Sequence, residues 1–96
     1  MRSDKSLVKH AISLGYTVNV FDTEEWSLMG STKVNEIMAE IDGVGEAELV
    51  FIGNDGGQVG WAYVIDHGGD GSENVSDYTV KPWLDKWFNE FHGFTA

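Results

Sequence analysis

The segment from residue 46 to residue 67 constrains the fold most, because it has the pattern of a β-hairpin. Two runs rich in β-branched and aromatic residues flank Asn54-Asp55-Gly56-Gly57, whose residue types tolerate positive φ angles in a tight turn. Alternate side chains share a face: Ala47, Leu49 and Phe51 in the first run, and Val59, Trp61, Tyr63 and Ile65 in the second. The remaining positions are only partly polar, which is typical of a central hairpin covered on one face and half covered on the other.

The rest of the chain alternates between helical and strand patterns. Apolar residues at helical spacing predict three helices, over residues 4–14, 34–41 and 83–91. Residues 16–21 and 26–29 predict a second hairpin, and residues 75–78 are expected to form a turn. The predicted order is α-β-β-α-β-β-α. We therefore expect one α+β domain spanning residues 1–96, with a four-stranded, mainly antiparallel sheet and helices covering one face. The glycine-rich loop 67–74 is expected to be the most mobile segment.

Composition excludes several classes of protein. The chain has 96 residues and no cysteine, so disulfides, thiolate chemistry and cysteine-type zinc sites are excluded. No apolar run approaches the roughly 18 residues of a membrane span, and no secretory signal pattern follows the N-terminus. We expect a cytoplasmic protein that does not contact the membrane.

The distribution of charge is the sharpest feature of the sequence. The formal net charge is −10, and no Lys or Arg occurs between Val34 and Val80, an interval that carries ten carboxylates. Such a surface repels phosphate backbones, so direct binding of nucleic acid is not expected. Two interpretations stay open: the charge serves solubility, or it meets a basic partner.

Three patterns bear on chemistry. Asp66, Asp70 and Asp77 occur at positions one, five and twelve of a loop that partly matches calcium-binding spacing, but Gly68 stands where an acid or amide is needed. The three histidines, His10, His67 and His92, form no metal-binding pair in sequence, and no metal is expected at them. The densest groups of candidate acid–base residues are Asp22-Thr23-Glu24-Glu25 and Asp66-His67, but no nucleophile-elbow, P-loop or dinucleotide fingerprint is present, so neither an enzyme nor a cofactor is expected.

Four tryptophans are many for a domain of this size. Trp26, on a short strand, and Trp83, at the start of the last helix, are the ones expected to be exposed. Tryptophan is enriched at binding hot spots, although partial burial over the core is the simpler explanation.

Several ordered motifs resemble those of a small family of phage- and prophage-encoded proteins. In chain order they are Asp22-x-Glu24-Glu25-Trp26, Ser31-Thr32, Ile37 to Ile41, Glu46-Ala47-Glu48-Leu49, Val59-Gly60-Trp61-Ala62-x-Val64-Ile65, Val75-Ser76-Asp77-Tyr78-Thr79 and Trp83-x-Asp85-x-Trp87. The resemblance extends from about Gly15 to Phe88, and the glycine-rich segment from Asp66 to Asn74 is where we expect the chain to differ from the family. It implies a phage origin and a bacterial cytoplasm. The family has no assigned activity, so the resemblance transfers no functional residue.

The first hypothesis is a non-enzymatic interaction protein that binds a basic host or phage protein. Its acidic surface would consist of Glu36, Glu40, Asp42, Glu46 and Glu48, with Trp26 and Trp83 as aromatic contacts. In one version these carboxylates imitate the phosphates of a nucleic acid. The alternatives are a calcium-binding domain that uses Asp66, Asp70 and Asp77, and an acid–base enzyme. Homodimerisation stays open.

Overall fold

Three helices and five strands form in the computed structural model, which describes residues 2–66 and 69–93. In chain order the elements are α1 (Ser3–Ser13), β1 (Thr17–Phe21), β2 (Trp26–Ser31), α2 (Val34–Val44), β3 (Glu46–Ile52), β4 (Gln58–Ile65), β5 (Val75–Tyr78) and α3 (Pro82–Phe91). The hairpin predicted from residue 46 onwards is β3–β4, and its pairing runs from Glu46 opposite Ile65 to Ile52 opposite Gln58.

The strands form one sheet in the order β2-β1-β3-β4-β5, with every neighbouring pair antiparallel. The predicted single α+β domain and antiparallel sheet are confirmed. The predicted number of four strands is wrong, because residues 75–78 form β5 rather than a turn. β5 places Asp77 opposite Tyr63 and supplies partners for backbone groups along the free edge of β4.

All three helices pack on the same face of the sheet. Directly opposite residues of antiparallel strands point to the same side, so the register identifies the two faces. One row of the covered face runs from Val20 through Leu49 and Ala62 to Tyr78. These residues share one hydrophobic core with buried helix residues: Leu7, Val8 and Ala11 of α1, Ile37, Met38 and Ile41 of α2, and Leu84 and Trp87 of α3.

Gly60 explains why α3 lies so close to β4. A Cβ at this position would come within 2.9 Å of Leu84 Cδ1 and 3.2 Å of Thr79 Oγ1. The small residues Gly60 and Ala62 therefore face the helices. The larger side chains of β4, Trp61, Tyr63 and Ile65, alternate with them and point to the opposite face of the sheet.

A buried carboxylate anchors the start of α1. Asp4 is fully buried, and its oxygens accept hydrogen bonds from Arg2 Nη2 at 2.8 Å, from the Lys5 amide at 2.9 Å and from Asn74 Nδ2 at 3.4 Å. The Ser3 amide donates to the Gly71 carbonyl at 3.0 Å. Residues 67 and 68 of the loop predicted to be mobile lie outside the described residues, and the mobility of the loop stays a prediction. Its end nonetheless packs against α1.

Candidate functional site

The face of the sheet opposite the helices is the best candidate for a functional surface. We call it the open face and define it by strand residues that the register places on that side: Thr17, Asn19, Phe21, Trp26, Glu46, Glu48, Val50, Ile52, Trp61, Tyr63, Ile65 and Asp77. None of these side chains belongs to the hydrophobic core or to the half-buried residues packed against it. Among the described residues, no helix covers them.

The open face is rich in aromatic and aliphatic side chains. Trp26 is 47% exposed and its ring lies 5.1 Å from that of Phe21. Trp61 is half-buried and lies directly opposite Val50, which is 8% exposed although it is outside the core. Aromatic and aliphatic side chains on a sheet face that no helix covers are a common mark of an interaction site.

The strands of the sheet carry acidic side chains but no basic ones, whereas the helices carry both. The five strands contain three charged side chains, Glu46, Glu48 and Asp77, and all three are acidic and belong to the open face. Every Lys and Arg lies in a helix or is the residue before one: Arg2, Lys5, Lys9, Lys33, Lys81 and Lys86. The open face is therefore apolar and anionic, and its strands carry no Lys or Arg.

The five acids proposed as one binding surface occupy two different places. Glu36, Glu40 and Asp42 belong to α2, which packs on the covered face, whereas Glu46 and Glu48 belong to the open face. The side chain of Asp42 is engaged in an ion pair, because its Oδ1 lies 2.7 Å from Arg2 Nη2. The structure thus does not gather these five carboxylates on one surface.

The two tryptophans expected to be exposed also differ. Trp26 is exposed, as predicted. The expectation for Trp83 is wrong, because this residue is half-buried against the core. Its indole Nε1 donates a hydrogen bond to the Val59 carbonyl at 3.0 Å, and its ring makes an edge contact with Phe51 at 5.1 Å. Trp83 fills the space beside Gly60 and fixes α3 to β4.

The three candidate calcium ligands also lie in two different places. Asp66 and Asp70 line a small pocket of about 210 Å³ together with Arg2 and Asp42, whereas Asp77 lies on the open face. Asp77 Oδ1 also accepts a hydrogen bond from the Tyr78 amide at 2.9 Å. Within residues 2–66 and 69–93, no group of three or more metal-binding side chains is arranged to hold an ion.

Three carboxylates, Asp22, Asp42 and Asp70, have lowered pKa values, which is the opposite of what a general acid at neutral pH needs. Hydrogen bonds from the amides of Glu25 and Glu24 lower the pKa of Asp22, which shapes the β1–β2 turn. A side-chain hydrogen bond from Arg2 lowers the pKa of Asp42. The Ser72 amide, which donates to Asp70 at 2.9 Å, lowers the pKa of that carboxyl.

A second concave surface lies between α1 and α3. This groove has a volume of about 660 Å³, and its lining includes Lys9, His10, Glu90 and Phe91. One of its hydroxyls has a structural role, because Ser6 Oγ accepts a hydrogen bond from the Trp87 indole at 3.0 Å. Lys9 and Glu90 put both signs of charge on the rim, so the groove has no single electrostatic preference.

Tyr63 and Asp77 were not predicted as neighbours of Glu48 on the open face. Alternation had already put Trp61, Tyr63 and Ile65 on one side of β4, but it did not indicate that the helices would lie on the other side. Gly60 and Ala62 were the available signal, since small residues on a strand permit the close approach of a helix.

No helix within the described residues is both long enough and apolar enough to cross a bilayer. Comparison of the chain with protein-family models, with curated proteins and with solved structures found no match.

Proposed function

We propose that the chain is a small, non-enzymatic binding protein whose open face docks on a basic surface of a host or phage protein in the bacterial cytoplasm. The observation that carries the proposal is that the strands of the open face bear acidic residues and no Lys or Arg. The open face combines Trp26, Trp61 and Tyr63 with acidic groups, while every Lys and Arg belongs to a helix or directly precedes one. Aromatic residues at the centre of an interface commonly supply most of its binding energy.

The geometry supports mixed apolar and ionic recognition better than imitation of a nucleic acid. A phosphate mimic needs a dense array of carboxylates on one surface. Here Glu36 and Glu40 are separated by the sheet from Glu46 and Glu48, and aromatic side chains stand between the acids of the open face. The expected partner therefore presents both apolar and cationic side chains.

Charge also disfavours pairing of two copies through this surface. A symmetric contact between open faces would oppose Glu46, Glu48 and Asp77 of one copy to the same residues of the other. Like charges held together in a partly desolvated interface are destabilising. With a basic partner protein this repulsion is absent, and the acidic residues of the open face attract the partner instead.

Salt-dependent capture from a bacterial lysate tests the proposal. The tagged chain is used as bait at low and at high ionic strength, with the variants E46K and E36K as a matched pair. Both glutamates are exposed, but Glu46 lies on the open face and Glu36 on α2. We expect a specific partner that is retained at low salt, weakened at high salt and lost with E46K but not with E36K.

Either of two results would contradict this function. Capture that is lost with E36K and kept with E46K would move the binding surface to α2. Capture that is insensitive to both salt and E46K would show that the anionic groups of the open face make no contribution to recognition.

A further inference from the structure

We propose that the open face recognises an arginine side chain of its partner, held between Glu48 and Asp77 over the ring of Tyr63. The inference rests on the proposed function and specifies the chemistry of the partner: an arginine flanked by apolar residues. The register places Tyr63 directly opposite Glu48 on one side and directly opposite Asp77 on the other. The three side chains thus form one row across β3, β4 and β5.

The spacing of this row suits a guanidinium group. Neighbouring strands lie about 4.8 Å apart, so the Cβ atoms of Glu48 and Asp77 are separated by about 10 Å, with the aromatic ring between them. A guanidinium over the ring is within reach of both flexible carboxylates. Asp77 and Glu48 supply the charge, and Tyr63 supplies a flat surface.

Glu48 is a half-buried residue that forms no ion pair with a cation among residues 2–66 and 69–93. The same residues carry no Lys or Arg on the strands. A cation brought by a partner can therefore pair with Glu48 without displacing a cation of the described residues, and such charge complementarity favours association. The described surface therefore presents a charge that a complementary protein neutralises.

Arginine fits this row better than lysine does. Its planar guanidinium stacks on an aromatic ring while its fork of N–H groups binds a carboxylate in the same plane. The lysine ammonium is a compact and strongly hydrated point charge that gains less from a ring. Trp61, which is half-buried and lies in the next row of the open face, gives apolar neighbours of the arginine a surface on which to pack.

A second copy of the chain is not the occupant. Its one arginine, Arg2, is held by Asp4 and Asp42 on the helical side. Two open faces brought together would also oppose like charges. The occupant is a different protein, and the charge complementarity of the row specifies what that protein presents.

The experiment is an NMR titration of the full ¹⁵N-labelled chain with three capped peptides. The first carries one arginine between apolar residues, and the other two replace that arginine with lysine or with uncharged citrulline. We expect chemical-shift changes at residues of the open face, arginine binding about fivefold tighter than lysine, and no saturable binding of the citrulline peptide.

Single substitutions test whether the row of Glu48, Tyr63 and Asp77 is what binds the peptides. E48Q should weaken the binding of the arginine and lysine peptides, whereas E36Q on α2 should leave it unchanged. Y63L should abolish the preference for arginine over lysine. If Y63L perturbs the fold, D77N, an exposed edge-strand substitution, tests the same row and should reduce arginine binding.

The outcomes separate this inference from the proposed function. Equal binding of the arginine and lysine peptides on the open face, lost with E48Q, would overturn the arginine preference and leave the basic-partner function intact. Absence of binding by both cationic peptides, or shifts confined to the helices, would overturn both.

Discussion

Removal of the Trp87 side chain tests how α3 is attached to the rest of the fold. Trp87 is 3% exposed, stacks on Phe91 at 5.5 Å, and makes edge contacts with Tyr78 and Phe88. Its indole N–H also donates to Ser6 Oγ on α1. Truncation of a buried tryptophan to alanine costs about 3–5 kcal/mol, because apolar contacts are lost and a cavity remains. That loss is large, because the total free energy of unfolding of a domain of 96 residues is only about 5–14 kcal/mol.

Thermal and urea unfolding followed by circular dichroism measure this effect. Trp87→Ala should lower the melting temperature by at least about 12 °C, as each kcal/mol corresponds to about 4–8 °C in a domain of this size. Trp87→Phe keeps a ring and loses the hydrogen bond to Ser6, which contributes about 0.5–1.5 kcal/mol, so it should fall between wild type and Trp87→Ala. A loss below about 1 kcal/mol for Trp87→Ala would refute the packing of α3 on the core.

Three further substitutions test other parts of the fold. Gly60→Ala should destabilise by about 1–3 kcal/mol in urea unfolding, because its methyl group overlaps Leu84; no loss of stability would contradict the close approach of α3. Asp42→Asn should cost at most about 1 kcal/mol at neutral pH, since the paired carboxylate is 56% exposed. Arg2 lowers the pKa of Asp42 from 3.8, so the contribution of the pair is complete above that pH and is lost as the pH falls through the lowered value; a wild-type advantage that grows in acid would refute the pair. Trp26→Ala should lower the melting temperature by only a few degrees, because Trp26 is 47% exposed and packs mainly on Phe21; a loss comparable to Trp87→Ala would show that the open face is part of the core.

Local patterns predicted much of the fold. The alternation of β3 and β4 and the turn residues between them were sufficient for the central hairpin, and the three apolar stripes were sufficient for the helices. β5 was missed because its Val-Ser-Asp-Tyr sequence is short and half polar, so its own propensity for strand is low. It is a strand because β4 offers it a long partner, which is a tertiary effect.

The candidate site was harder to predict than the fold. The acidic character was evident, but the grouping of Glu36 with Glu48 assumed that neighbours in sequence share a surface. The connection from α2 to β3 takes the chain from the helical layer into the sheet, and alternation then turns Glu46 and Glu48 away from the helices. Only the pairing register reveals that Tyr63 and Asp77 are the neighbours of Glu48.

Thiol accessibility along β4 tests the central claim, that the aromatic side of this strand faces outward. The chain contains no cysteine, so each single substitution introduces one reactive group. Tyr63→Cys and Ile65→Cys should react with Ellman's reagent within about tenfold of the rate of the unfolded chain. Ala62→Cys and Val64→Cys, at positions 0% and 1% exposed, should be protected about a thousandfold or more by the folded core. Protection of the cysteines at 63 and 65, or equal reactivity at all four positions, would contradict the claim that this side of β4 faces outward.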